Sequence, residues 1–88
     1  MELEIGKVTH YFDHINVAVL ELQEELKVGD QIHFLGYSTD FVQRVTSMEV
    51  EHHKVVWVKP GDNVALKVIE PVREHDIIYR IAEEAFAL

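Results

Sequence analysis

Two similar stretches decide the fold: LKVGDQIHFLG at residues 26–36 and VKPGDNVALKV at residues 58–68. Each runs from a lysine-containing turn and a Gly-Asp pair into alternating apolar and polar residues, which is the pattern of a β-strand. Gly29 and Gly61 can adopt a positive φ angle, and Asp30 and Asp62 can accept hydrogen bonds from neighbouring backbone N–H groups. We therefore interpret the repeat as a pair of turns that begin strands, with a structural and not a catalytic role.

Alternation of this kind continues along most of the chain and predicts an all-β fold. The pattern changes phase after Val19 and again between Val45 and Met48, as expected where a strand carries a bulge or a twist. Asp13 and His14 are expected in the turn of a hairpin. About six to seven short strands with frequent turns favour a small closed Greek-key-type β-barrel over an open sheet.

The last residues are the exception to the strand pattern. The segment AEEAFAL, residues 82–88, favours a helix, because Ile81, Ala85 and Leu88 would share one helical face. This predicts a short C-terminal helical turn that caps one mouth of the barrel, with a frayed tail as the alternative. The whole chain, residues 1–88, is short enough to form a single domain.

Composition excludes several classes of protein. The chain has no cysteine, no basic and apolar leader and no apolar run long enough to span a membrane, so we expect a cytoplasmic protein without a membrane partner. Its net charge of −8 counts against generic nucleic-acid binding, which depends on clustered cations. Unpaired strand edges would favour self-association and the charge would oppose it, so the oligomeric state stays open.

Several segments, in chain order, resemble the β-barrel second domain of translational GTPases such as elongation factor Tu. They are IGKV at 5–8, LKVGDQIHFLG, VTSMEV at 45–50, VKPGDNVALKV and VREHDIIYRI at 72–81. The resemblance covers nearly the whole chain and implies the same barrel fold. In translation factors that barrel packs on the GTPase domain and helps to hold the aminoacyl end of tRNA or contacts the ribosome.

Two departures refine this resemblance. The interval from Gly6 to Gly29 is longer than in elongation factor Tu, because the extra hairpin THYFDHINVAVLEL fills it. The longer version is more similar to the C-terminal barrel of the collagenase-like peptidase family and to small stand-alone elongation-factor-like proteins. His75 stands where translational GTPases usually place a glycine, so the geometry of that turn is open.

These features predict a non-catalytic binding module, without a cofactor, that docks on a protein or ribonucleoprotein. The chain lacks the Gly-x-x-x-x-Gly-Lys-Ser/Thr loop that cradles nucleotide phosphates, and no nucleophile or acid–base constellation stands out. Direct RNA or tRNA binding is the alternative, and it requires cations, including Lys7, to gather beside exposed aromatic rings. The candidate partner-binding residues are Trp57, Lys54, Lys59, Tyr37 and Arg44.

The single tryptophan and the other aromatic residues admit two interpretations. We expect Trp57 in the core, as is usual in a small barrel, and a surface binding anchor is the alternative. The same two interpretations apply to Tyr11 and Tyr37, whereas core or turn packing is preferred for Phe12 and Phe41.

The histidines raise a metal hypothesis. His10, Asp13 and His14 surround one hairpin turn and could converge on a cation, although polar residues on a wet hairpin are the expected interpretation. His52 and His53 are adjacent, so in an extended chain they point to opposite faces, and their polar surroundings indicate a solvated loop. His33 alternates with apolar neighbours and is expected to face solvent.

Overall fold

The computed structural model describes residues 1–82, and every regular element within them is a strand. The predicted all-β fold is confirmed. The predicted helical turn over residues 82–88 lies outside the described residues from residue 83 onward. The strands are β1 (Glu2–Phe12), β2 (Val17–Leu22), β3 (Leu26–Lys27), β4 (Gln31–Leu35), β5 (Asp40–Arg44), β6 (Met48–Val50), β7 (His53–Val55), β8 (Trp57–Val58), β9 (Val64–Lys67) and β10 (Ile77–Ile81).

There are more strands than the sequence predicts because two apolar segments break into short pieces. The segment around Val45 divides into β5 and β6, with Val45, Thr46 and Ser47 between them. The run that contains Trp57 divides into β7 and β8 at a bend on Val56. Such breaks let the chain turn sharply while each piece still packs at least one side chain against the core.

Eight strands form one curled antiparallel sheet in the order β5-β4-β10-β1-β2-β9-β6-β7. The other two, β3 and β8, form a separate ribbon that lies across the opening of this half-barrel. The ribbon is tied to the chain after β7 by a hydrogen bond from Val28 N–H to the carbonyl of Val56, at 2.9 Å. It is tied to the chain after β5 by a bond from Gly29 N–H to the carbonyl of Val45, also at 2.9 Å. The predicted barrel-like fold is therefore confirmed, and the ribbon bridges the two sheet edges.

The bulges that curl the sheet lie in β1. Its register shifts against β10 at Ile5 and against β2 at Thr9. The predicted phase change within β2 is wrong, because Ala18, Leu20 and Leu22 are all buried in unbroken alternation. The bulge lies instead in the partner strand β1, which has eleven residues.

The core fills the space inside the curled sheet with aliphatic residues and two phenylalanine rings. Phe34 and Phe41 stack with their centroids 5.0 Å apart, which confirms the core position expected for Phe41. Gln43 is one of the few buried polar residues, and its amide accepts from the N–H of Ile69 and donates to the carbonyl of Lys67, both at 2.9 Å. Because Ile69 and Lys67 belong to the chain at the end of β9, this side chain fastens β5 to the opposite wall.

Three turns share one construction, although the sequence repeat shows it only twice. In each, an aspartate carboxylate accepts a hydrogen bond from the backbone N–H three residues before it. The residue before each aspartate has a positive φ, and these angles are 100° at Gly29, 94° at Gly61 and 77° at His75. The donor and acceptor pairs are Lys27–Asp30 at 3.0 Å, Lys59–Asp62 at 3.0 Å and Arg73–Asp76 at 2.8 Å. The turn therefore keeps its geometry at His75.

No helix within residues 1–82 has the length and apolar character needed to cross a membrane.

Candidate binding face around Trp57

Trp57 lies on the outside of the barrel, with 47% of its surface exposed. The expected core position is wrong because β8 has only two residues and Val58 takes the inward position, where it is fully buried. Successive residues of a strand point to opposite faces, so the indole is directed outward. Val56, on the other side of Trp57 in the chain, is 74% exposed. The surface interpretation of Trp57 is the one that the structure favours.

One side of Trp57 forms the wall of an open, mainly apolar groove with a volume of about 580 Å³. We call it the apolar groove. Its floor and walls include Val28 directly after β3, Met48 from β6, and Val55 and Val56 at the sheet edge. Lys54, Thr46 and Ser47 complete the lining. A groove of this size, with aliphatic walls and few polar groups, suits an apolar side chain of a partner.

The other side of Trp57 borders a second groove, of about 430 Å³, which we call the polar groove. Lys27 is paired with Trp57 across the ribbon, and Arg80 comes from β10. The guanidinium of Arg80 donates to the carbonyl of Glu25 at 2.5 Å, which fixes the cation beside the indole. Asp30 also lines this groove, but one of its carboxylate oxygens already accepts from the N–H of Lys27.

The structure brings together some of the predicted partner-binding residues. Lys54 shares the apolar groove with Trp57. Arg44 donates to the carbonyl of Gly29 at 2.6 Å, so its guanidinium lies beside the ribbon that carries Trp57. Lys59 follows Trp57 closely in sequence, but its ammonium is paired with Asp62 at 3.0 Å.

Two other candidates lie elsewhere. Tyr37 is fully exposed beyond the end of β4, whereas the ribbon lies at the beginning of that strand. Lys7 lines a separate groove with the carboxylates of Glu4 and Glu21. Of the residues named for the RNA alternative, Lys54 therefore lies in one groove with Trp57, whereas Lys7 and Tyr37 lie apart from it.

Sequence reasoning missed Lys27, Arg80 and Val56 as members of this face. Lys27 and Arg80 reach Trp57 only through strand pairings between distant parts of the chain, and no local pattern marks them. Val56 did carry a signal. It belongs to the unbroken apolar run from Val55 to Val58, and a short strand cannot direct four successive side chains inward.

The hairpin residues of the metal hypothesis do not converge. His10 lies 3.7 Å from a carboxylate oxygen of Glu74, while His14 is near Asp13 at 3.6 Å and is almost completely exposed. Within residues 1–82, no three histidine or acidic side chains are grouped so that they could hold a metal ion. His52 and His53 are exposed at the turn between β6 and β7, as the solvated-loop interpretation predicts.

His33 does not face open solvent, contrary to expectation. Only 16% of its side chain is exposed, and its ring nitrogens lie 2.7 Å from Glu2 and 2.6 Å from Asp40. The hydrogen bond to Asp40, followed by the one to Glu2, raises the pKa of His33 above its ordinary value. The prediction failed because β5 is the neighbour of β4 in the sheet and places a carboxylate beside the ring.

Comparisons with known proteins support one part of the family resemblance. The chain is 37% identical over 83 residues to an uncharacterised protease of Methanocaldococcus jannaschii and 32% identical over 81 residues to a collagenase of Porphyromonas gingivalis. These matches cover 93% and 90% of this chain but only 20% of each relative, so the chain spans about a fifth of their length. No family model matches the sequence.

Solved structures show the same fold. Two crystal structures of the C-terminal domain of a Geobacillus thermoleovorans protein assigned to the U32 peptidases superpose with TM-scores of 0.81 and 0.83. Both are 20% identical in sequence, and they cover 86% and 90% of this chain and 96% and 92% of theirs. The translation-factor part of the resemblance is not supported by these comparisons. The chain is therefore similar to one part of proteins named as a protease and a collagenase, and its fold is that of the C-terminal domain of a protein assigned to the U32 peptidases.

Proposed function

We propose that this barrel is a non-catalytic binding module that engages a polypeptide segment through the face around Trp57. The observation that carries the proposal is the position of Trp57, half-exposed between an apolar groove and a polar one. A tryptophan held on a rigid ribbon offers a large contact area at little entropic cost, and exposed tryptophans are frequent binding hot spots.

The charges around Trp57 define the chemistry of the partner. Lys54, Lys27 and Arg80 line the two grooves, although the chain as a whole carries a net charge of −8. A partner that is apolar where it enters the apolar groove and acidic beside it would complement these cations. The relatives support a polypeptide as that partner, since they are named as a protease and collagenases.

In this proposal, any catalytic step belongs to the parts of the longer relatives that this chain does not cover. This chain corresponds to about a fifth of its relatives, and two ionisable groups beside Trp57 already hold backbone groups, since Asp30 accepts from the N–H of Lys27 and Arg80 donates to the carbonyl of Glu25. Docking on a ribonucleoprotein, as in translation factors, remains a prediction from the sequence. The absence of cysteine agrees with a reducing compartment, and we propose a cytoplasmic location.

Direct RNA binding is the second candidate, and the cations beside Trp57 favour it. An exposed indole flanked by lysine and arginine is the arrangement on which single-stranded bases stack. The overall charge and the presence of Glu25 and Asp30 in the polar groove oppose it, because both would repel phosphates.

Binding to two immobilised probes separates these candidates. The purified chain is passed over gelatin, an unfolded polypeptide, and over oligouridylate, and binding is followed by interferometry. We expect saturable binding to gelatin, weakened at least about 30-fold by Trp57→Ala, since a hot spot contributes roughly 2 kcal/mol or more. Tyr37→Ala is the matched control and leaves binding unchanged.

Two results would contradict the proposal. Retention on oligouridylate and not on gelatin would favour the RNA alternative. Hydrolysis of peptides by the purified chain at a rate typical of enzymes would refute the non-catalytic assignment.

A further inference from the structure

A second apolar groove opens at the hairpin between β1 and β2. Phe12 is 46% exposed and Ile15 is 56% exposed, and both line a groove of about 560 Å³ that also includes Val17 and Ala65. We call it the hairpin groove. The turn-packing position expected for Phe12 is met in part, because its ring meets that of His10 edge-on at 4.3 Å between centroids. Most of the apolar surface at the hairpin is nevertheless open.

The hairpin groove adjoins the apolar groove. Ser47 and Lys54 line both of them, so the two depressions share a common wall. Lys54 is paired with Glu49 across the β6–β7 ladder, and Glu49 is paired in turn with Ala65 of β9. A path across this row of strands therefore leads from the hairpin, past Lys54, to Trp57.

We propose that one extended polypeptide segment occupies both grooves, with an apolar side chain in each and an acidic side chain between them. This inference rests on the proposed function and specifies its ligand. Two lysines, Lys54 at the shared wall and Lys67, line the hairpin groove with one carboxylate residue, Glu49. The surface between the two apolar ends thus complements an acidic residue.

The strand spacing sets the separation of the two anchors. From β2 through β9 and β6 to β7 there are three steps between neighbouring strands, about 14 Å in total. An extended chain advances about 3.4 Å per residue, so about four residues cover this distance. Side chains at positions i, i+2 and i+4 of an extended segment point to the same side. The expected ligand therefore carries apolar residues at i and i+4 and an acidic residue at i+2.

Peptides without tryptophan test this geometry, because Trp57 is the only tryptophan in the chain and reports on the apolar groove by its fluorescence. The probe is Leu-Ser-Glu-Ser-Leu with Gly-Ser flanks, compared with Leu-Ser-Glu-Ser-Ser and with Leu-Ser-Glu-Leu, in which the anchors are three residues apart. We expect the first peptide to bind at least about 10-fold more tightly than the other two, as a second buried leucine should provide. Replacing its glutamate with lysine should remove most of this advantage.

A variant of the hairpin groove distinguishes one groove from two. Ile15→Ser lies on an exposed turn and should abolish the advantage of the two-anchor peptide while leaving the one-anchor peptide unaffected. If the two-anchor peptide has no advantage, or keeps it in Ile15→Ser, the two-groove inference is overturned while binding at Trp57 can still stand. If neither peptide changes the fluorescence, the inference is also overturned, and the gelatin experiment decides the proposed function separately.

Discussion

Replacing His75 with glycine should stabilise the barrel. His75 has a φ of 77° and occupies the turn position that Gly29 and Gly61 occupy in the two equivalent turns. Its N–H donates to the carbonyl of Val8 at 2.8 Å, and the substitution keeps this backbone bond. The imidazole is exposed, so its removal costs little packing. The change therefore acts mainly on the backbone conformation.

Two opposing terms set the magnitude. A residue with a Cβ in the left-handed region costs about 1–2 kcal/mol, and histidine is expected near the lower end because it visits this region more often than most residues. Glycine at the same position increases the entropy of the unfolded chain, which lowers stability by about 0.4–1 kcal/mol. The expected net gain is about 0.5 kcal/mol, and for a chain of this size that raises Tm by about 2–4 °C.

Chemical denaturation and thermal unfolding of matched variants test this expectation. His75→Ala keeps the Cβ and removes the ring, so its stability should stay close to that of the original chain. Gly29→Ala is the reverse change, at a site with no atom within 4 Å of the added Cβ, and should destabilise by roughly 0.5–1 kcal/mol. If His75→Gly lowers the free energy of unfolding while His75→Ala leaves it unchanged, the strain argument is refuted.

Three further variants test other parts of the fold. Gln43→Leu should cost roughly 1–2 kcal/mol in urea unfolding, because it leaves two part-buried backbone groups without their partner; a neutral effect would mean that water replaces the amide. Gly36→Ala should lower stability by roughly 2–4 kcal/mol, since the new Cβ would overlap the carboxylate of Asp76 and displace its turn bond; an unchanged Tm would contradict this. The folded-state pKa of His33 is raised, so the bridge that it forms with Asp40 and Glu2 contributes fully to the free energy of unfolding below about pH 6.5. This contribution is lost as the pH rises through the folded-state pKa. Unfolding measured between pH 6 and 9 should show this loss, and His33→Gln should lack it; identical pH profiles would count against the bridge.

Local sequence determined the strands and turns because these depend on neighbouring residues. Alternation places the core residues of β4 correctly, and the Gly-Asp pairs mark two turns whose φ angles and hydrogen bonds match the expectation. The third turn escaped because histidine replaces the glycine that signals a positive φ. The family resemblance, carried by the same segments, pointed to the collagenase-like peptidases that the comparisons support.

The candidate site could be predicted only in part. Trp57 and Lys54 were named from residue type, since exposed tryptophan and lysine are common at binding surfaces. Their placement was not predictable, because the direction of Trp57 follows from the two-residue length of β8 and from its pairing with Lys27, which is distant in sequence. Tyr37 has the same residue chemistry but lies beyond the far end of β4.

The sequence by itself thus determined an all-β chain, two of its Gly-Asp turns and the inward residues of β4. Tertiary structure decided where β1 bulges, how the β3–β8 ribbon bridges the sheet edges, and which cations surround Trp57. The physical reason is that alternation and turn chemistry act over a few residues, whereas register, closure and the assembly of a surface depend on strands far apart in the chain.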